Sequence, residues 1–229
     1  NTTELAQRFA PLTAHLSETL GVPVEYIPAR DYQASVEMFR NGDVHLAWFG
    51  GLTGVQAWLQ TPGARALAQR DIDRSFHSVF IASPSSGLKP FSDLSGLQQL
   101  KGKRFTFGSE SSTSGRLMPE HFIRENTSKA PADFFTHPVG FSGSHDKTVE
   151  LVESGRYQAG VVNYKVYDKR VASGASDPEQ VKIIWRTPFY ADYNFTAHPA
   201  LETVFGNGFV DRLQAALVGI EDPALLSAL

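Results

Sequence analysis

Short apolar runs of strand length alternate with stretches of helical spacing along most of this chain, and that alternation restricts it to a small set of α/β architectures. Leu5, Phe9, Leu12, Leu16 and Leu20 recur at helical spacing before Gly21, which predicts an amphipathic helix over 3–20. Residues 22–27 read as a strand, 32–40 as a helix stopped by Asn41-Gly42, and 44–49 as a nearly all-apolar strand of the kind buried on both faces. A helix through Val55 and Leu59 follows, then strands at 64–68 and 75–82. Beyond these come a short helix at 94–100, a strand at 103–107, a helix after Gly115 and a turn at 138–143. A helix at 146–153, strands at 158–162 and 181–185 and a helix at 210–220 complete the pattern. Strands joined through helices favour a mostly parallel sheet with helices on both faces.

Two breaks divide this pattern. Residues 83–90 hold two prolines, a glycine and three serines, and Arg186-Thr187-Pro188 interrupts the chain after the last strong strand. Two crossings imply two α/β lobes: 1–83 with 188–229, and 84–187. The final segment is too short to fold alone and is expected to complete the first lobe. In open α/β sheets ligands bind beyond the carboxyl ends of strands, where Phe49, Ser112 and Asn163 stand.

The stretch Glu110-Ser111-Ser112-Thr113-Ser114-Gly115 lies between a strand and a helix. The first amides of a helix lack internal partners and carry partial positive charge, so such a turn can seat an anion, and three hydroxyls add donors. The alternative is plain N-capping, which Ser and Thr perform at most helix starts. A hydrogen bond to a charged group contributes roughly 1.5–3 kcal/mol, and micromolar affinity needs about 8 kcal/mol, so several converging donors suffice. His145 is either a structural histidine at a helix start or a donor whose ring Asp146 orients. Tyr32 is core packing or a ligand contact. Trp48, Phe49 and Phe76 read as core or cleft wall, and Tyr190 and Tyr193 as cleft rim or surface. Asp192 would repel an unprotonated anion.

The net charge of −3, with no Lys/Arg cluster, excludes a nucleic-acid surface, so an anion site must be local. No apolar run approaches the length of a membrane span. Asn1-Thr2-Thr3-Glu4 lacks the start of a signal peptide, which fits a cytosolic protein or a processed form; the absence of cysteine fits an exported one. An enzyme would use Ser112 as nucleophile and His145 as base, but the sequence has no nucleophile elbow, metal-spaced cluster or Gly-Lys phosphate loop. Neither a cofactor nor a metal is expected.

Five phrases carry a family resemblance: Ala29-Arg30-Asp31-Tyr32, Leu46-Ala47-Trp48-Phe49-Gly50, Ser78-Val79-Phe80-Ile81, Ser112-Thr113-Ser114-Gly115 and Gly143-Ser144-His145-Asp146. In this order they resemble the phosphonate/phosphite-type substrate-binding proteins of ABC importers. The resemblance implies a type II periplasmic binding protein fold, with hinged lobes closing over a tetrahedral oxyanion without chemistry. It also implies a monomer in the periplasm that meets the membrane only through a permease. It assigns anion contact to Tyr32, Ser112, Thr113, Ser114 and His145. Phe76 replaces an aromatic hydroxyl and Lys165 a carboxylate of the aminoalkylphosphonate binders, which disfavours ligands bearing an ammonium group. His77 and the phrase 191–195, with Asp192, point to an inorganic oxyanion such as phosphite or a selenate-like ion. Family members also have a first strand before the helix that starts here near Thr3. The competing reading is an oxyanion sensor that reports to a membrane histidine kinase.

Overall fold

Elements form where the sequence supplies both a local signal and a partner. The computed structural model describes residues 2–226, which fall into two units, Asn1–Arg74 with Tyr193–Leu229, and Ser75–Asp192. Unit 1 begins with α1 (Thr2–Leu20), α2 (Tyr32–Asn41), β1 (Leu46–Phe49), α3 (Gly51–Gln60) and β2 (Arg65–Ala68). Unit 2 carries β3 (Ser78–Ala82), β4 (Phe105–Phe107), α4 (Met118–Thr127), α5 (Pro131–Phe134), β5 (Gly140–Phe141), α6 (His145–Glu153), β6 (Ala159–Asn163), α7 (Tyr164–Ala172) and β7 (Lys182–Arg186). The chain then returns to unit 1 as β8 (Asn194–Ala197), α8 (Ala200–Phe205), α9 (Phe209–Val218) and α10 (Pro223–Leu226).

In unit 1, the Asp31 carboxylate accepts the Ala34 amide at 2.8 Å to start α2, and Gly42, at φ 80°, closes it by donating to the Met38 and Phe39 carbonyls. The sheet order is β1-β8-β2 with both pairs antiparallel, so the C-terminal segment supplies the middle strand. Burial on both faces explains the apolar run. Leu46 and Trp48 pack toward Leu12, Leu16 and Leu213, whereas Ala47 and Phe49 pack with Val36, Phe39 and Ala57. Residues 22–27 do not form the expected strand. The Val24 amide bonds the Ser17 hydroxyl at 2.9 Å instead of a neighbouring strand, and this segment lines an apolar cavity of 610 Å³ with Phe9, Leu12 and Trp48.

In unit 2 the order is β5-β4-β6-β3-β7; β4 runs parallel to β5 and β6, and β3 is antiparallel to β6 and β7. The expectation of mostly parallel sheets is therefore corrected to one mixed and one antiparallel sheet. The reversed strands, β3 and β8, are the first strands after each crossing. No crossover helix of their own unit fixes their direction. Because all five β3 residues are buried and both its edges are paired, β3 belongs to unit 2. The crossings thus fall at 74/75 and 192/193 rather than near 83 and 188. The polar stretch at 83–90 is a turn inside unit 2, and 94–100 is a 3₁₀ helix.

The unit 2 sheet buries Phe80, Phe105, Phe107, Phe122 and Trp185 on one face, and Val79, Ile81, Val149, Val152 and Tyr167 on the other. Parallel β4, β5 and β6 end at one edge of the sheet, which brings the turn after β4, the start of α6 and the start of α7 side by side. Gly160 permits the close approach of α6: a methyl there would lie 2.8 Å from Thr148 Cγ2 and 3.1 Å from both Val152 Cγ2 and the Thr106 carbonyl. Gly160→Ala should destabilise the protein by about 1–3 kcal/mol in a denaturant titration, because this interior has no room to give.

Candidate anion-binding site

In the turn after β4, Ser112 gathers the Gly115, Arg116 and Leu117 amides, and the Ser114 and Gly115 carbonyls are held by fixed donors. Ser112 is extended (φ −86°, ψ 133°), and its Oγ accepts the Gly115 amide at 2.9 Å. Its carbonyl accepts from Arg116 at 3.2 Å and Leu117 at 3.0 Å, which opens 113–117 into one π-helical turn before α4. The Gly115 carbonyl takes the Gly108 amide at 2.8 Å, and the Ser114 carbonyl takes the Ser78 hydroxyl at 2.7 Å. The capping role of Ser112 is therefore real, and it leaves the hydroxyl proton available.

His145 lies against this turn. A methyl group on Gly115 would sit 3.0 Å from His145 Cε1 and 2.9 Å from Ser112 Oγ, so only glycine allows the contact. Ser144 caps α6 by accepting the Lys147 amide at 3.2 Å, placing His145 at the first helical position. The Asn163 amide donates to His145 Nδ1 at 3.3 Å, which puts the proton of the neutral ring on Nε2. Nε2 is buried without a hydrogen-bond partner among the described residues. Burial holds the imidazole down to about pKa 4, against the opposing charge of Asp146, so the ring is neutral at pH 7. The expected orientation by Asp146 is replaced by that of Asn163, because the Asp146 carboxylate pairs with Arg170 at 2.9 Å.

The remaining candidates are distributed unevenly. Ser112, Thr113, Ser114 and Asp192 are buried in unit 2. Phe76 is fully enclosed, with its ring 5.0 Å from Tyr164 and 6.3 Å from Tyr190, and has no polar side-chain atom to offer. His77 stacks on Tyr164 at 4.1 Å, and its Nε2 lies 3.4 Å from Arg186. Burial and then the Arg186 charge lower its pKa, with Asp168 opposing. Lys165 donates its amide to the Asn163 side chain at 2.7 Å and holds its Nζ 5.8 Å above the Tyr164 ring. Tyr32 stands in unit 1 as the first residue of α2, half-buried, with its carbonyl accepting the Ser35 hydroxyl at 2.6 Å. Sequence reasoning missed the roles of Ser78, Gly115 and Asn163. Only the position of Asn163 at a strand end hinted at one.

A neutral imidazole N–H, serine and threonine hydroxyls and helix-start amides are donors that suit a small oxyanion without a cationic partner. The whole chain, residues 1–229, matches the family described as ABC transporter, phosphonate, periplasmic substrate-binding protein, and the chain belongs to that family. It is 44% identical over 217 residues to the probable ABC transporter phosphite binding protein PhnD1 of Prochlorococcus marinus (strain MIT 9301), covering 95% of this chain and 73% of the relative. The solved structure of PhnD1 from that organism in complex with methylphosphonate superposes with a TM-score of 0.91 at 42% identity, over 100% of this chain and 85% of that one. The phosphate-import protein PhnD of Mycolicibacterium smegmatis is 28% identical over 93% of this chain and 67% of its own length. The chain is thus a substrate-binding protein of the ABC-transporter phosphonate family, with the periplasmic-binding-protein fold.

The depressed His145 pKa sets a sign for stability. Unfolded His145 takes up a proton as pH falls through about 6.5, whereas the folded ring resists until about 4. Stability from this group is therefore complete above pH 6.5 and declines between pH 6.5 and 4, by on the order of 3 kcal/mol. Ligand-free His145→Gln should show a shallower loss of melting temperature across that window than the parent.

Proposed function

We propose that this protein captures phosphite or a short alkylphosphonate such as methylphosphonate outside the cytoplasm, in the periplasm, and hands it to an ABC permease. The buried, unpartnered Nε2–H of His145 beside the Ser-Thr-Ser turn carries the proposal. A buried donor left unmet costs about 1–3 kcal/mol, which an incoming anion oxygen removes while gaining a charge-assisted hydrogen bond. Ser112, Thr113 and Ser114 supply the surrounding donors, with Phe76 as apolar backing. His77 and Asp192 join them in this reading as residues that tune the choice of oxyanion. Tyr32 enters this reading from the family resemblance alone.

The site is read as binding without turnover. A histidine held near pKa 4 by burial is a poor base at neutral pH, and its Nδ1 already accepts from Asn163. The relatives support the ligand class: PhnD1 carries phosphite in its name and methylphosphonate in its structure.

Isothermal titration with methylphosphonate should show His145→Ala and Thr113→Ala binding about tenfold or more weakly, as the loss of one charge-assisted donor requires. Tyr32→Phe should also weaken binding. Normal affinity in both alanine variants sinks the assignment. A thermal-shift panel of phosphite, methylphosphonate, 2-aminoethylphosphonate, phosphate, sulfate and selenate tests the ligand. A bound anion at a hundredfold excess over Kd should raise the melting temperature by roughly 5–10 °C. Phosphite and methylphosphonate are expected to give the largest shifts and 2-aminoethylphosphonate one of the smallest, because Lys165 opposes its ammonium group.

A further inference from the structure

The anion turn is held in shape by a buried hydroxyl relay from the far end of unit 2. Ser78, at the start of β3, is fully enclosed; its amide donates to Thr187 Oγ1 at 3.0 Å and its carbonyl accepts the Thr187 amide at 3.0 Å. Its Oγ lies 2.7 Å from the Ser114 carbonyl oxygen and 2.5 Å from the Tyr190 hydroxyl. Tyr190 is fixed in turn by a two-way backbone bridge to Phe76, with both N···O distances at 2.9 Å.

The protons in this relay have only one arrangement. A carbonyl only accepts, and two oxygens 2.7 Å apart without a proton between them repel, so the single Ser78 hydroxyl proton goes to Ser114. The Tyr190 hydroxyl must then donate to Ser78. Burial keeps that phenol protonated at all ordinary pH values. The chain of donation therefore runs from Tyr190 to Ser78 to the Ser114 carbonyl.

We propose that Ser78 and Tyr190 are positioning residues of the anion site, the Ser78 hydroxyl pinning the Ser114 carbonyl so that its oxygen stays out of the mouth of the turn while the Gly115 amide of the same peptide stays on Ser112 Oγ. This rests on the reading that the Ser-Thr-Ser turn binds the oxyanion. A carbonyl oxygen swung into the mouth of the turn would place negative charge against an anion. Neither residue needs to touch the ligand. The direction of donation ranks the two: Ser78 is the member that holds the carbonyl, and Tyr190 keeps Ser78 aimed while also bonding the Ser114 side chain.

The test is a double-variant cycle with methylphosphonate, reading Kd by titration, melting temperature without ligand, and the Gly115 amide ¹⁵N resonance, which reports hydrogen bonding at the preceding carbonyl. Ser78→Ala should raise Kd about tenfold or more, shift the Gly115 resonance and lower the melting temperature by roughly 3–10 °C, the cost of the buried groups it leaves unmet. Tyr190→Phe should raise Kd less, and its effect should shrink in the Ser78→Ala background. Ser78→Ala binding within twofold of the parent overturns the inference. So do Kd effects that multiply in the double variant, or an affinity loss with an unmoved Gly115 resonance. If the unsubstituted protein binds neither methylphosphonate nor phosphite, the failure belongs to the ligand assignment.

Discussion

The candidate site depends on one hydrogen bond, from the Asn163 amide to His145 Nδ1. It decides which imidazole nitrogen holds the proton, and so turns a residue able to accept or donate into one that presents a donor to the site. The bond joins the end of β6 to the start of α6. It exists because the unit 2 sheet sets the exits of these elements next to each other, and because Gly160 and Gly115 leave room for helix and ring. Burial then keeps the ring neutral. A charged imidazolium could not be oriented by an amide N–H, since it has no free lone pair at Nδ1.

In the proposed site an anion is met by dipoles rather than by cations. A chain of net charge −3 has no general positive field to draw an oxyanion in, and basic side chains of unit 2 have partners of their own: Arg116 with Glu120, Arg170 with Asp146, and Arg186 beside His77. Oriented N–H and O–H groups in a water-poor turn are worth more than the same groups in solvent and need no reorganisation when the ligand arrives. Their arrangement is maintained by tying each carbonyl of the turn to a fixed donor: Gly115 to Gly108, Ser114 to Ser78, and Ser112 to the amides that follow it.

Much of the fold was legible in local pattern. Tyr32–Asn41 was readable because Asp31 and Asn41-Gly42 are strong start and stop signals, and 44–49 because both faces of that strand are buried. Residues 22–27 have a strand's composition, but the Val24 amide is satisfied by a serine hydroxyl of α1. The reversed directions of β3 and β8 were equally hidden, since strand direction depends on where the preceding connection comes from and leaves no mark on side-chain alternation. The apparent linker at 83–90 misled for a related reason: Pro, Gly and Ser mark a tight turn whether or not a domain ends there.

By itself the sequence determined that a hydroxyl-rich turn opens a helix after a strand, that a histidine starts another helix, and that the chain has no Lys/Arg cluster and no cysteine, because these are matters of residue type and short spacing. Only the tertiary structure decided that the two meet, that Asn163 rather than Asp146 orients the ring, and that Ser78 and Tyr190 brace the turn from 36 residues before Ser114 and from the far end of unit 2. Those contacts join segments distant along the chain. Hydrogen-bond direction and burial arise only once the sheet has brought such segments together.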